Sequence, residues 1–309
     1  MNVTGAMRGA LRAGTFLVWG IAVGCGGDDA SAAPDAGMQQ ASGCATGAIC
    51  RGAEPKIEDL DRAGPYATAT FTLPATADSG GATVYHPTDA AAPFAYAVFC
   101  PPYQYGQSHF AAWGPFFASH GIVLATMDAA DPNDYPPRRA RGLEQMVVAL
   151  RAEHTRVDSP LRGKLDEARG GVLGWSMGGG AALTVTGAHP EWKSAVLITP
   201  NTATSSGYGA SANATTVPTL IVNGALDNTV LGGLNQSESA YAALPASTPK
   251  LFYLHANLGH FDWGTPGAGG AIAGRYVMAW EKTYLEGDVR YAAFLKTPGP
   301  NATKWESNL

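Results

Sequence analysis

The chain has 309 residues, of which 46% are hydrophobic and 15% are charged. There are 20 Lys and Arg residues against 25 Asp and Glu residues, which gives a net charge of −5. This composition provides enough apolar side chains for one large core. The acidic balance argues against nucleic-acid binding, because that class of protein needs a basic face to neutralise phosphates.

The first 25 residues have the features of an export signal. Arg8 and Arg12 precede a short apolar run at 13–24, which is too short to be a permanent membrane span. The run ends in Ala-Val-Gly directly before Cys25, which resembles the signal of a bacterial lipoprotein, whose cysteine is lipidated. We expect residues 1–25 to be a lipoprotein-type signal and the protein to be an outer-membrane or cell-surface lipoprotein, with plain secretion as the alternative.

Residues 26–62 are rich in Ala, Gly, Ser and Asp and lack apolar periodicity, which predicts a flexible tether. Cys44 and Cys50 lie in this stretch and can pair in an oxidising compartment. Residues 63–309 are then expected to form a single folded domain.

In this domain, short β-rich runs alternate with helical stretches. The strands are predicted at 68–73, 82–87, 95–100, 122–128, 170–175, 194–199, 219–224 and 250–255. The helices are predicted at 109–120, 139–154, 177–189, 237–244 and 271–285. Apolar strands separated by helices imply a mostly parallel sheet that is covered on both faces. The strand count and order predict an α/β-hydrolase fold, with a central, mostly parallel eight-stranded sheet flanked by helices.

The stretch Gly174-Trp175-Ser176-Met177-Gly178 follows a predicted strand and opens a predicted helix. It matches G-x-S-x-G, and this strand–turn–helix context is typical of a nucleophile elbow. The alternative, a phosphate-binding loop, is disfavoured because no G-x-x-x-x-G-K-[ST] pattern is present. We expect Ser176 to be a nucleophile at the start of a helix, where backbone N–H groups favour negative charge.

A serine hydroxyl needs a base to take its proton, and in this fold the chain order is Ser, acid, His. His260 lies in the loop after the last predicted strand and is the expected base, whereas His255 falls within that strand. Asp227 lies just past another strand and is the expected acid. Glu238 lies deeper, in a helix, and Asp262 is too near His260 in sequence to reach its far ring nitrogen easily.

The oxyanion hole needs two backbone donors. One is expected from Met177, the residue after the nucleophile. The other is expected from the loop after the third strand, Cys-Pro-Pro-Tyr-Gln-Tyr-Gly-Gln, where Tyr103 is the best candidate because Pro101 and Pro102 have no N–H.

Several stretches together carry a family resemblance over residues 64–295. They include "WGPFFASHGIVLATMD", "GWSMGGG", "VPTLIVNGALD" and "GDVRYAAFL". The chain resembles the bacterial cutinase-like polyester hydrolases, a group that includes enzymes acting on poly(ethylene terephthalate). The resemblance implies Ser176, Asp227 and His260 as the catalytic triad.

The resemblance also implies that Tyr103 and Trp175 line the substrate groove. Asn201 stands where the best-known members active on poly(ethylene terephthalate) carry a tryptophan, so the aromatic clamp is expected to lack one wall. No disulfide is expected between the acid and histidine loops, because the matching positions are Gly224 and Asp262.

The expected function is therefore a serine carboxyl-ester hydrolase that acts on polyesters through an acyl-enzyme. It needs no cofactor and no metal, and we expect a monomer that binds only its ester substrate and, through Cys25, a membrane. One alternative is a small-molecule carboxylesterase or lipase of the same fold. Another is a surface lipoprotein that binds a polymer without catalysis.

Overall fold

The computed structural model describes residues 44–202, 212–229 and 233–309, so the predicted lipidation site at Cys25 lies outside them. Within these ranges, nine strands form one sheet in the order β1-β2-β4-β3-β5-β6-β7-β8-β9. The strands are β1 (Thr68–Leu73), β2 (Ser79–Pro87), β3 (Phe94–Cys100), β4 (Val123–Ala129), β5 (Leu165–Trp175), β6 (Ser194–Ile198), β7 (Thr219–Gly224), β8 (Lys250–His255) and β9 (Ala302–Ser307). No helix in the described part is long and apolar enough to cross a bilayer.

Helices cover both faces of the sheet. They are α1 (Trp113–Ser119), α2 (Pro136–Ala152), α3 (Met177–Ala188), α4 (Leu234–Ala243) and α5 (Ile272–Trp280). A π-helical turn over Glu281–Leu285 continues α5. Strands β3 to β8 are parallel, and antiparallel strands lie at the two edges of the sheet. The predicted α/β-hydrolase fold is confirmed.

The core consists of two apolar layers, one on each side of the sheet. Successive strand residues point to opposite faces, so Val98 packs in the layer that contains Leu143 of α2. Its neighbour Phe99 packs in the other layer with Trp113 of α1 and Val277 of α5. The continuous apolar runs that predicted the strands follow from burial on both faces.

The predicted number of eight strands is wrong by one, because β9 (Ala302–Ser307) adds an antiparallel edge strand beside β8. Its sequence, Ala-Thr-Lys-Trp-Glu-Ser, is mostly half-buried or exposed. An edge strand pairs on one side only and commonly carries charged side chains, so it lacks the apolar run that marked the others.

The predicted tether is wrong for residues 44–62, whereas residues 26–43 lie outside the described ranges. Cys44 and Cys50 form a disulfide. Leu60 is 2% exposed and belongs to the core layer that contains α5. Ile49 is buried in the same layer, and Arg51 forms an ion pair with Glu286. These contacts follow no apolar period, so periodicity does not detect that the segment packs on the domain.

Candidate active site

Ser176 occupies a sharp turn between β5 and α3. Its backbone has φ 55° and ψ −114°, a strained conformation for a residue with a side chain. The flanking glycines are required sterically, because a Cβ at Gly174 would lie 2.0 Å from the Gly178 carbonyl oxygen. A Cβ at Gly178 would lie 2.2 Å from the Cys100 carbonyl oxygen. The turn therefore has the steric demands of a nucleophile elbow.

Three predicted residues meet at the C-terminal ends of the parallel strands. Ser176 follows β5, Asp227 follows β7 and His260 lies in the loop after β8. The Ser176 hydroxyl lies 2.8 Å from Nε2 of His260, and Nδ1 of His260 lies 2.9 Å from Oδ2 of Asp227. With the proton on Nδ1, the imidazole donates to Asp227 and accepts from Ser176, which is the tautomer that these partners favour.

Asp227 is buried and receives hydrogen bonds on both carboxylate oxygens. Besides His260 on Oδ2, Thr229 donates to Oδ1 from its hydroxyl at 2.7 Å and from its backbone N–H at 3.1 Å. Burial raises the pKa of Asp227, but the hydrogen bonds from His260 and Thr229 outweigh it and lower the pKa below its usual 3.8. The carboxylate is thus ionised and held in one orientation beside the imidazole.

The loop that carries His260 is held by three buried tryptophan side chains. The indole of Trp175 donates to the His260 carbonyl at 2.9 Å, and that of Trp263 donates to the Gly259 carbonyl at 3.0 Å. The indole of Trp113, on α1, donates to the Trp263 carbonyl at 2.9 Å. An indole N–H can only donate a hydrogen bond, and here each one donates to a backbone carbonyl of the loop. These bonds therefore position the loop backbone on both sides of the imidazole.

The two predicted oxyanion donors lie at the same end of the sheet. Met177 is the first residue of α3, and the next residue, Gly178, is in backbone contact with Cys100 at the end of β3. Tyr103 lies in the loop that follows β3. Neither the Tyr103 nor the Met177 N–H donates a hydrogen bond within the described ranges. An oxyanion donor must be unpaired in this way, so both residues remain the predicted donors.

Two predicted substrate-binding residues, Trp175 and Asn201, expose little surface. Trp175 is 1% exposed because the rings of Tyr105 and Phe261 lie against its indole, with centroids 6.0 Å and 6.5 Å away. Asn201 is 4% exposed, and its N–H donates to the Ser176 carbonyl at 2.8 Å. Tyr103 is half-buried, which leaves part of this predicted groove residue accessible.

Apolar side chains instead reach solvent beside the triad. Phe261, the residue after His260, is 54% exposed and stacks on Tyr105 with centroids 5.6 Å apart and planes at 18°. Leu226, the residue before Asp227, is 62% exposed. Asp227 and His260 therefore each have one exposed apolar residue next to them in the chain.

Four residues of the site are not predicted from the sequence, namely Thr229, Phe261, Trp113 and Trp263. Thr229 and Phe261 had a signal, since each lies within two residues of a predicted catalytic residue. Trp113 had none, because 150 residues separate it from the carbonyl that it contacts.

Comparison with known proteins gives a consistent assignment. A family model described as PET hydrolase-like matches residues 43–308. A bis(hydroxyethyl) terephthalate hydrolase of Streptomyces coelicolor is 33% identical over 254 residues, which cover 81% of this chain and 77% of that protein. Cutinase est1 of Thermobifida alba is 35% identical over 253 residues, which cover 81% of each. Cutinase 1 of Thermobifida cellulosilytica is 32% identical over 255 residues, which cover 81% of this chain and 91% of that protein.

The family match extends over nearly the whole described part of the chain, and the α/β-hydrolase fold and the nucleophile elbow agree with it. The chain therefore belongs to the PET hydrolase-like family of carboxylic ester hydrolases.

Proposed function

We propose that the protein hydrolyses the ester bonds of polyesters through an acyl-enzyme on Ser176. The observation that carries this proposal is the unbroken hydrogen-bond chain from Asp227 through His260 to the Ser176 hydroxyl, at 2.9 Å and 2.8 Å. Position at a nucleophile elbow and burial of all three side chains support the same chemistry.

In the acylation half-reaction, Ser176 Oγ attacks the ester carbonyl while its proton moves to Nε2 of His260. Asp227 stabilises the imidazolium and keeps its proton on Nδ1. The tetrahedral intermediate then collapses, the C–O bond to the alcohol breaks, and His260 gives its proton to the leaving oxygen. In deacylation, His260 activates a water in the same way, and the acid is released from Ser176.

The oxyanion of both tetrahedral intermediates binds to the N–H groups of Tyr103 and Met177. Preorganised donors of this kind act only on the charge that develops during reaction. Loss of one such donor in other serine hydrolases costs about 3–4 kcal/mol of barrier. No step requires a cofactor or a metal, and the proposal is that of a monomeric enzyme.

A polyester substrate is supported by the exposed apolar groups around the triad and by the names of the relatives. Phe261 and Leu226 offer apolar surface to a chain that lies across the site, and Tyr105 extends the Phe261 surface as a stacked ring. Two of the relatives compared are named cutinases. The third is named for a small diester, which favours a second candidate, an esterase that is limited to small substrates.

The test is to incubate the enzyme with films of an aliphatic polyester and of poly(ethylene terephthalate), and to measure released monomers. Parallel assays use p-nitrophenyl butyrate and bis(hydroxyethyl) terephthalate, with Ser176→Ala as the control. We expect monomer release from at least one film and a loss of about 10⁶-fold in turnover for the control. Activity confined to the small esters identifies a small-molecule esterase. Binding to film without hydrolysis of any ester supports the non-catalytic surface lipoprotein.

We further propose that Cys25 is lipidated and that residues 26–43 connect the anchor to the domain. Acyl chains contribute about 0.8 kcal/mol per buried methylene, so several chains give firm attachment. To test for lipidation, the full chain and Cys25→Ser are expressed and their membranes are fractionated. The N-terminal peptide of each is then analysed by mass spectrometry. We expect an acylated peptide in the membrane fraction only with Cys25, and an unmodified soluble chain from both would contradict the proposal.

A further inference from the structure

Arg139 lies in the first turn of α2 and is fully buried, at 0% exposure. Its guanidinium donates to three backbone carbonyls. Nε donates to Asp134 at 2.7 Å, Nη1 to Pro101 at 3.0 Å and Nη2 to Pro132 at 2.8 Å. One side chain therefore connects the start of α2 with the loop after β3 and the loop after β4.

Burial of this cation is costly, and no carboxylate in the described ranges forms an ion pair with it. The nearby Asp134 carboxylate pairs with Arg138 instead. A buried charge costs several kcal/mol unless hydrogen bonds compensate it, and an apolar side chain would fill the same space without that cost. The guanidinium therefore serves to hold the three backbone carbonyls that it contacts.

The loop that Arg139 reaches has few donors of its own. Pro101 and Pro102 have no N–H, so the loop is held through its carbonyls and through later residues. Besides the bond from Arg139 to the Pro101 carbonyl, Tyr105 N–H donates to the Pro102 carbonyl at 3.4 Å. Gln104 N–H donates to the Pro132 carbonyl at 2.8 Å, and this is a carbonyl that Arg139 also binds.

These bonds fix the residues on both sides of Tyr103 and leave its own N–H without a partner in the described part of the chain. The geometry of an oxyanion donor matters to within a few tenths of an ångström, because such donors act through fixed positions. The N–H of Met177 is fixed by the elbow, whereas that of Tyr103 depends on its loop.

We propose that Arg139 is a positioning residue of the oxyanion hole, which holds the Pro101–Tyr105 loop so that the Tyr103 N–H points at the developing oxyanion. This inference rests on the proposed function, since it assumes that Tyr103 donates to a tetrahedral intermediate. Arg139 itself does not contact the substrate.

The test compares Arg139→Lys and Arg139→Met with wild-type protein in the full chain, with Arg138→Met as the matched control. Arg138 is the neighbouring arginine on the same helix, with a side chain that is 40% exposed and ion pairs to Asp78 and Asp134. Four quantities are measured for each protein. They are kcat and KM with p-nitrophenyl butyrate, the Ki of butaneboronic acid, which forms a tetrahedral adduct on serine, and the Ki of the unreactive amide N-(4-nitrophenyl)butyramide.

We expect Arg139→Lys to lower kcat about 10- to 100-fold, a fraction of the loss that follows removal of a whole donor. The Ki of the boronic acid should rise by a similar factor, while KM and the Ki of the amide change less than about 2-fold, because transition-state contacts alone are lost. Arg139→Met should show the larger loss, and Arg138→Met should match wild-type protein.

Either Arg139 variant with wild-type kcat and boronic-acid affinity overturns the proposal. A loss that falls equally on the amide and the boronic acid also overturns it, because it indicates general damage to the site. If Arg139→Met does not fold, the Lys variant decides the question. Failure of the proposed acyl-enzyme chemistry on Ser176 is distinguishable, since wild-type protein would then hydrolyse no ester and bind no boronic acid, whereas restriction to small esters leaves this test unchanged.

Discussion

Glu281 lies in the π-helical turn after α5 and is fully buried. Neither carboxyl oxygen of Glu281 has a hydrogen-bond partner of normal geometry in the described ranges. The Ser194 hydroxyl is near enough to lower the pKa of Glu281, although it makes no such bond. Burial raises the pKa of Glu281 from 4.5 to about 8, and the negative charge of Glu286 adds to this increase. The folded protein therefore keeps a proton that the unfolded chain releases above pH 4.5.

Proton linkage then fixes the sign and size of the effect. Because the folded state binds the extra proton, the free energy of unfolding falls as pH rises between the unfolded and folded pKa values. The slope is about 1.4 kcal/mol per pH unit, so about 2 kcal/mol is lost between pH 6 and pH 8. Glu281→Gln stays neutral and should lose this part of the pH dependence.

The assay is urea unfolding, followed by tryptophan fluorescence, of wild-type protein and Glu281→Gln at pH 5, 6, 7 and 8. The free energy of unfolding of Glu281→Gln, relative to that of wild-type protein, should rise by about 2 kcal/mol from pH 6 to pH 8. Glu58→Gln, which changes an exposed carboxyl, is the control and should parallel wild-type protein. Equal slopes for Glu281→Gln and wild-type protein would show that Glu281 does not hold the extra proton in the folded state.

Three further predictions concern the site. Thr229→Val should lower kcat/KM about 10-fold and move the acid-unfolding midpoint to higher pH. The reason is that the lowered pKa of Asp227 stabilises the folded protein above pH 3.8, and this contribution is lost as pH falls. Thr229→Ser should match wild-type protein in esterase and acid-titration assays. Gly178→Ala should abolish soluble expression or cost over 100-fold in activity, since its Cβ would lie 2.2 Å from the Cys100 carbonyl oxygen, and normal yield and activity would contradict the contact. Trp113→Phe should lower the free energy of unfolding by about 1–3 kcal/mol in urea titration, because a buried carbonyl in the histidine loop loses its donor; an unchanged midpoint would argue against that bond.

The fold and the triad could be predicted because their signals are local. The central strands contain continuous apolar runs, and Ser176, Asp227 and His260 each lie just after such a run. Parallel strands end at one edge of the sheet, so residues that follow them meet there even though their sequence positions are distant.

The rest of the site could not be predicted because it depends on contacts between distant segments. The burial of Trp175 results from rings contributed by two other loops, and the role proposed for Arg139 depends on carbonyls up to 38 residues away. β9 and residues 44–62 lack apolar periodicity. β9 joins the domain through edge pairing, and residues 44–62 join it through the buried side chains of Ile49 and Leu60.

Active-site titration with diethyl p-nitrophenyl phosphate tests directly whether Ser176 is the nucleophile. Ser176 Oγ should form a bond to phosphorus as the bond to p-nitrophenolate breaks, with one p-nitrophenolate released per chain and esterase activity lost in proportion. Peptide mass spectrometry should locate the diethylphosphoryl group on Ser176, and Ser176→Ala should give no burst. A stoichiometric label on another residue, or full esterase activity in the labelled protein, would show that Ser176 is not the nucleophile.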